Sequence, residues 1–111
     1  MNAPVKMLLV FVNEVDHLHG LPVYQALVQR LRQLEIAGAT AVAGLMGFGR
    51  HHRVHHRGLF GISDDRPFVV VAVDEEAKLR AALPEVRAVA GDDLVLLVDA
   101  EIAGTERPDA I

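Results

Sequence analysis

The chain has 111 residues, enough for one domain with a core of its own. Hydrophobic residues make up 51% and aromatics 5%, so the core must come from Val, Leu, Ala and Ile, while 23% charged residues argue against disorder. Cysteine is absent, which excludes disulfides, thiolate metal sites and thiol catalysis, and the net charge of −4 argues against general nucleic-acid binding.

Val5–Val12 is a near-continuous apolar run of strand length, predicted to lie centrally in a sheet. Its core, Met7–Val12, is too short for a membrane span or a signal segment, so the expected location is cytoplasmic. Asn13–Gly20 is polar and turn-like, and Pro22 suits the first position of a helix. Tyr24, Leu27, Val28, Leu31 and Leu34 then recur at helical spacing, with Gln25, Gln29, Arg32 and Gln33 on the opposite face. Gly38 is expected to end this helix or its following turn. Ala39–Met46 reads as a second strand in which Gly44 marks a bulge or a close approach. Residues 47–65 form a long irregular loop, and connections of this length in compact domains tend to be functional.

Phe68–Val73 is the clearest strand. Asp74 suits an N-cap, with Glu75 and Glu76 in a first helical turn where the dipole favours acids. Leu79, Ala82, Leu83, Val86 and Val89 define the second amphipathic helix, which Pro84 should kink or restart. Gly91 closes it, Leu94–Val98 begins a fourth strand, and residues 104–111 form a polar, loose tail.

The order is β-α-β-β-α-β, an α+β ferredoxin-like arrangement. Right-handed crossovers place both helices on one face of a four-stranded antiparallel sheet, with the two most apolar strands at its centre. This single domain covers residues 1–111, with a core from about 5 to 102. Along the third strand Phe68, Val70 and Ala72 point one way and Val69, Val71 and Val73 the other. A monomer with helices on one face would therefore expose an apolar patch, which self-association or the chain's own long loop must cover.

The charge is uneven. Arg50–Arg57 reads RHHRVHHR without an acid, whereas acids dominate after Ser63. A basic segment on an acidic body suggests local anion recognition. Gly47, Phe48, Gly49 and Arg50 can form a turn whose backbone N–H groups and guanidinium receive an anion; the plainer reading is a glycine-rich strand exit. His51, His52, His55 and His56 are weak metal candidates, because Arg50, Arg53 and Arg57 would repel a dication. Their joint titration could instead raise the loop charge between roughly pH 7 and 5. Glu14, Asp16, His17 and His19 follow the first strand as turn and cap residues or as a metal or acid–base group. Ser63 is the only serine, and no carboxylate pair stands out, so the expectation is no enzyme. RNA-binding modules share this element order but need exposed aromatics on the central strands, which here offer Phe11 and Phe68 only.

Several short segments resemble, in order and spacing, the PII-like family of small bacterial proteins of unassigned function, relatives of the PII nitrogen-signalling regulators. They are Glu14 and Asp16; His19-Gly20 with Pro22, Tyr24 and Ala26; Ala37-Gly38-Ala39-Thr40; Gly47-Phe48-Gly49; Arg53-Val54-His55; Ser63-Asp64-Asp65 with Pro67; and Val73-Asp74. The resemblance implies a PII-like homotrimer with its sheets facing the three-fold axis and a projecting loop at about 47–65. It further implies a small anionic ligand in the inter-subunit clefts, with Arg50 at its phosphate. The outer loop residues Arg53, His55, His56 and Arg57 would then signal to a transporter, channel or enzyme. An adenine nucleotide is the ligand class the resemblance points to. The glycine- and lysine-rich phosphate turn of PII is not matched, since Ala90-Gly91-Asp92-Asp93 stands in its place. The competing reading is a histidine-rich metal-binding protein or metal-dependent enzyme.

Overall fold

A computed structural model describes residues 3–48, the backbone of 54–56, and residues 66–104. The elements are β1 (Val5–Asn13), β2 (His17–Leu18), β3 (Leu21–Pro22), α1 (Val23–Gln33), β4 (Gly38–Ala43), β5 (Met46–Phe48), β6 (Val54–His56), β7 (Pro67–Glu75), α2 (Glu76–Ala90) and β8 (Leu94–Ala100). The main sheet has the order β4-β7-β1-β8 with every pairing antiparallel. The two apolar runs thus occupy the centre, as the α+β ferredoxin-like reading requires.

One sheet face carries Leu8, Val10, Val12, Phe68, Val70 and Ala72, all buried. Leu27 and Leu31 of α1 and Leu79 and Val86 of α2 join them in a single core. The opposite face is also apolar. Its rows follow from the register: Phe11 lies between Val69 and Leu94, Leu9 between Val71 and Leu96, and Met7 between Val73 and Val98. Phe11, Val42, Leu94, Leu96 and Val98 on this face are exposed in the single chain. Both helices belong to the other face, so the apolar alternation of β1, β7 and β8 serves two separate packing surfaces.

The second expected strand is two. β4 stops at Ala43, and Gly44 donates its N–H to Pro67 O at 2.7 Å. A Cβ on Gly44 would come within 2.9 Å of Pro67 Cγ, so the expected close approach is real and the expected continuity is not. The chain re-enters extended structure at β5, which pairs with β6 inside the segment expected to be irregular. The backbone register sets Phe48 opposite Val54, and the ladder is too short to give a visible period.

Three helix boundaries also move. Pro22 takes the N-cap position with ψ 139° and pairs with His17, so the first helical residue is Val23. α1 ends at Gln33, and Glu35 makes the turn at φ 60°, leaving Gly38 to start β4. Glu75, not Asp74, is the N-cap of α2, and Pro84 sits at an exposed position of an unbroken helix. Asp74 sits one residue earlier and does not cap the helix: its buried carboxylate accepts from Glu75 N at 2.7 Å and from Ala37 N at 2.9 Å. Lys78 pairs with the same carboxylate at 3.3 Å. A single acid therefore ties the entry to α2 to the entry to β4. Gly91 closes α2 as expected, at φ 64° with its N–H on Arg87 O.

Candidate functional site

The site forms where the main sheet hands the chain to the β5–β6 ladder. The start of β7 is its anchor: Arg66 precedes it, Pro67 and Phe68 open it, and Glu14 follows the end of β1 directly opposite. Glu14 N donates to Arg66 O at 2.8 Å, extending the β1–β7 ladder by one bond. The side chains then meet as a fork on a fork. Arg66 Nε donates to Glu14 Oε1 at 3.1 Å and Nη2 to Oε2 at 2.8 Å. This bidentate geometry suits planar guanidinium and carboxylate groups. Glu14 raises the Arg66 pKa above its ordinary value, by its hydrogen bond first and by its charge second.

An aromatic floor supports the guanidinium, whose central carbon lies 5.2 Å from the centroid of the Phe68 ring. Tyr24 of α1 stacks on that ring at 4.2 Å between centroids and 7° between planes. Pro67 completes the corner. Its Cγ lies 3.6 Å from the position a Gly47 Cβ would occupy and 2.9 Å from that of a Gly44 Cβ. β5 is thereby held beside the residue that bears the guanidinium.

Of the expected anion turn, Gly47 and Phe48 lie in β5, with Phe48 largely exposed. Gly49 and Arg50 lie outside the described residues, as do His51, His52, Arg53 and Arg57. The backbone of β6 sets His55 opposite Gly47 and His56 opposite Met46. Ser63, Asp64 and Asp65 also fall outside the described residues. The acid and histidine group after β1 is dispersed. Glu14 turns to Arg66, whereas His17 Nδ1 meets its neighbour Val15 O at 2.7 Å. Among the described residues no three His, Asp or Glu side chains converge to hold a metal.

Arg66 is the residue that sequence reasoning missed. It stands 52 positions from Glu14, and no spacing rule links them. Only the antiparallel register of β1 on β7, which sets Asn13 opposite Pro67, could have placed the two together. The turn before β8 carries no lysine. There Arg87 Nη1 donates to Gly91 O at 2.9 Å and to Asp93 O at 2.6 Å, which binds the turn to α2.

Comparison with known proteins agrees with this architecture. Residues 5–102 match the DUF190 family, described as "Uncharacterized ACR, COG1993". A UPF0166 protein of Aquifex aeolicus is 30% identical over 97 residues, spanning 87% of this chain and 91% of the relative. A UPF0166 protein of Methanocaldococcus jannaschii is 26% identical over 98 residues, spanning 87% of this chain and 90% of the relative. Among solved structures, CutA1 of Oryza sativa superposes with a TM-score of 0.63 at 14% identity, over 93% of this chain and 85% of that one. CPII of Thiomonas intermedia K12, a nitrogen regulatory PII-like protein bound to ADP, AMP and bicarbonate, gives 0.61 at 22% identity, over 95% and 91%. At these identities the structural likeness establishes the shared fold. The chain belongs to the DUF190 family, and it shares its ferredoxin-like fold with CutA1 and with the PII-like protein CPII.

Proposed function

We propose that this chain is a trimeric PII-like regulator that senses a small anionic ligand and acts without catalysing a reaction. The observation that carries the reading is the second apolar face of the sheet. Three rows of large aliphatic or aromatic side chains cross β7, β1 and β8 opposite the helices. A soluble chain does not keep such a surface in water, and copies packed sheet to sheet would cover it. In this reading, which follows the resemblance to PII, Gly47, Phe48, Gly49 and Arg50 belong to a ligand site at an inter-subunit cleft.

An adenine nucleotide is the first ligand to test, on the likeness to a PII-like protein solved with ADP and AMP. The basic residues Arg53, His55, His56 and Arg57 form the partner-facing part of the projecting segment in this reading, which follows the resemblance to PII. Its partner is a protein, with a transporter or channel as the class the resemblance favours, and the setting is cytoplasmic. No described helix is long and apolar enough to cross a membrane. Calorimetric titration of ADP into the parent, Arg50→Ala and Arg57→Ala proteins tests the ligand site. Losing a charge-assisted hydrogen bond from Arg50 costs about 1.5–3 kcal/mol, roughly ten- to a hundredfold in affinity. Arg57→Ala leaves affinity near the parent value. Equal affinities for all three proteins, or no heat from any nucleotide, would overturn the proposed ligand site.

A further inference from the structure

We infer that Arg66 is a second receptor for oxyanions, and that Glu14 occupies it as a built-in competitor. The inference rests on the anionic-ligand reading above and adds a residue and a mode of regulation to it.

Four features separate this pair from a strap that merely holds the fold. The backbones of the two residues are already joined through Glu14 N and Arg66 O, so the ion pair is not needed to bring them together. The guanidinium rests on the Phe68 ring, which Tyr24 backs, and keeps its plane when the carboxylate leaves. Pro67 fixes the next residue against Gly44, which limits the freedom of Arg66 further. The side chains of Arg66 and Glu14 remain 24% and 33% exposed, so solvent and solutes reach the pair. A bidentate pair holds more firmly than an ordinary surface ion pair, so Glu14 is an effective competitor that a solute oxyanion must displace.

The fork accepts two oxygens in one plane, and Glu14 supplies them at 3.1 and 2.8 Å. A carboxylate or phosphate group offers the same two oxygens to the same two N–H donors. Binding is therefore an exchange: the incoming oxyanion takes the fork, and the Glu14 carboxylate is released to water. The internal carboxylate lowers apparent affinity and sets a threshold concentration below which the receptor stays closed. An occupant of Arg66 would alter the charge at the corner where Pro67 meets Gly44 and Gly47.

The test uses inorganic phosphate as probe, acetate as the carboxylate arm and chloride as the ionic-strength control. Binding is read by calorimetry and by the Arg66 Nε–Hε resonance, identified by its loss in Arg66→Lys. Glu14→Gln removes the competing charge and is expected to tighten phosphate or acetate binding roughly tenfold. Glu14→Asp, one methylene shorter, gives an intermediate gain and guards against a fold defect in the first variant. Arg66→Lys keeps the charge, loses the fork and weakens binding about tenfold. Arg50→Ala combined with Glu14→Gln retains the gain of Glu14→Gln alone. Glu14→Gln binding no better than the parent, or an Arg66 resonance that responds to chloride as it does to phosphate and acetate, would overturn the inference. ADP titrations of the same variants keep the two readings apart. Nucleotide binding indifferent to Glu14 and Arg66, with no oxyanion response, defeats this inference alone. A phosphate response at Arg66 without nucleotide binding defeats the nucleotide site alone.

Discussion

Asp74→Ala tests the packing logic most sharply, because one buried carboxylate serves two chain segments. Asp74 is 4% exposed and accepts from Ala37 N and Glu75 N, so its removal leaves two backbone donors without their acceptor. A buried donor without a partner costs about 1–3 kcal/mol. Glu75 is exposed and its N–H can find water, so most of the loss falls at Ala37. The Lys78 partner is 46% exposed and adds little. The expected destabilisation is about 1–3 kcal/mol, against a typical domain stability of about 5–15 kcal/mol. Asp74→Asn keeps one acceptor and should lose about half as much. Urea unfolding at one fixed protein concentration measures both, since the proposed self-association would make apparent stability concentration-dependent. An Asp74→Ala loss below about 0.5 kcal/mol, the range of ordinary surface changes, would refute the assigned role.

Two further perturbations probe the ends of the sheet. Gly44→Ala forces a methyl to 2.9 Å from Pro67 Cγ and should cost about 1–3 kcal/mol by urea unfolding, whereas a neutral result would mean the junction yields freely. Lys6 Nζ pairs with Asp99 at 2.5 Å, and that hydrogen bond, with the Lys6 charge second, holds the Asp99 carboxyl below its ordinary value. A depressed folded pKa adds stability present above the unfolded value of about 4 and lost as pH falls through the folded one. With Asp99 92% exposed, that contribution is slight, so the readout is the carboxyl's own NMR titration. Its midpoint should rise in Lys6→Met, and an unchanged midpoint would discount the pair.

The sheet was legible in the sequence because its signal is hydrophobic. Phe68–Val73 is apolar at every position and Val5–Val12 at all but Lys6, and connectivity then demanded that they lie side by side. The same residues announced the second apolar face. What escaped were contacts made by single polar or small residues across long separations. Asp74 resembles an ordinary helix cap, and nothing local shows that it also reaches Ala37. Pro67 and Gly44 meet only after β4 is laid on β7. Arg66 sits in a polar run beside Asp64 and Asp65, where its charge reads as solvated surface. The basic segment points to Arg50, and the fold adds Arg66, a guanidinium over an aromatic ring in the residue before Pro67. The β5–β6 ladder was hidden because three-residue strands are shorter than any period that a sequence can display.

The central claim is that the uncovered sheet face is an interface among three copies and that an anionic ligand accompanies it. Native mass spectrometry of gently purified protein reads subunit number and retained small molecules in one spectrum. The parent should give three times the chain mass of 12.1 kDa, with added mass matching an anion such as an adenine nucleotide. Leu96→Asp, which sets a carboxylate in the middle row beside Leu9, should give the single-chain mass without it. A parent spectrum dominated by the single chain at micromolar concentration would contradict the account.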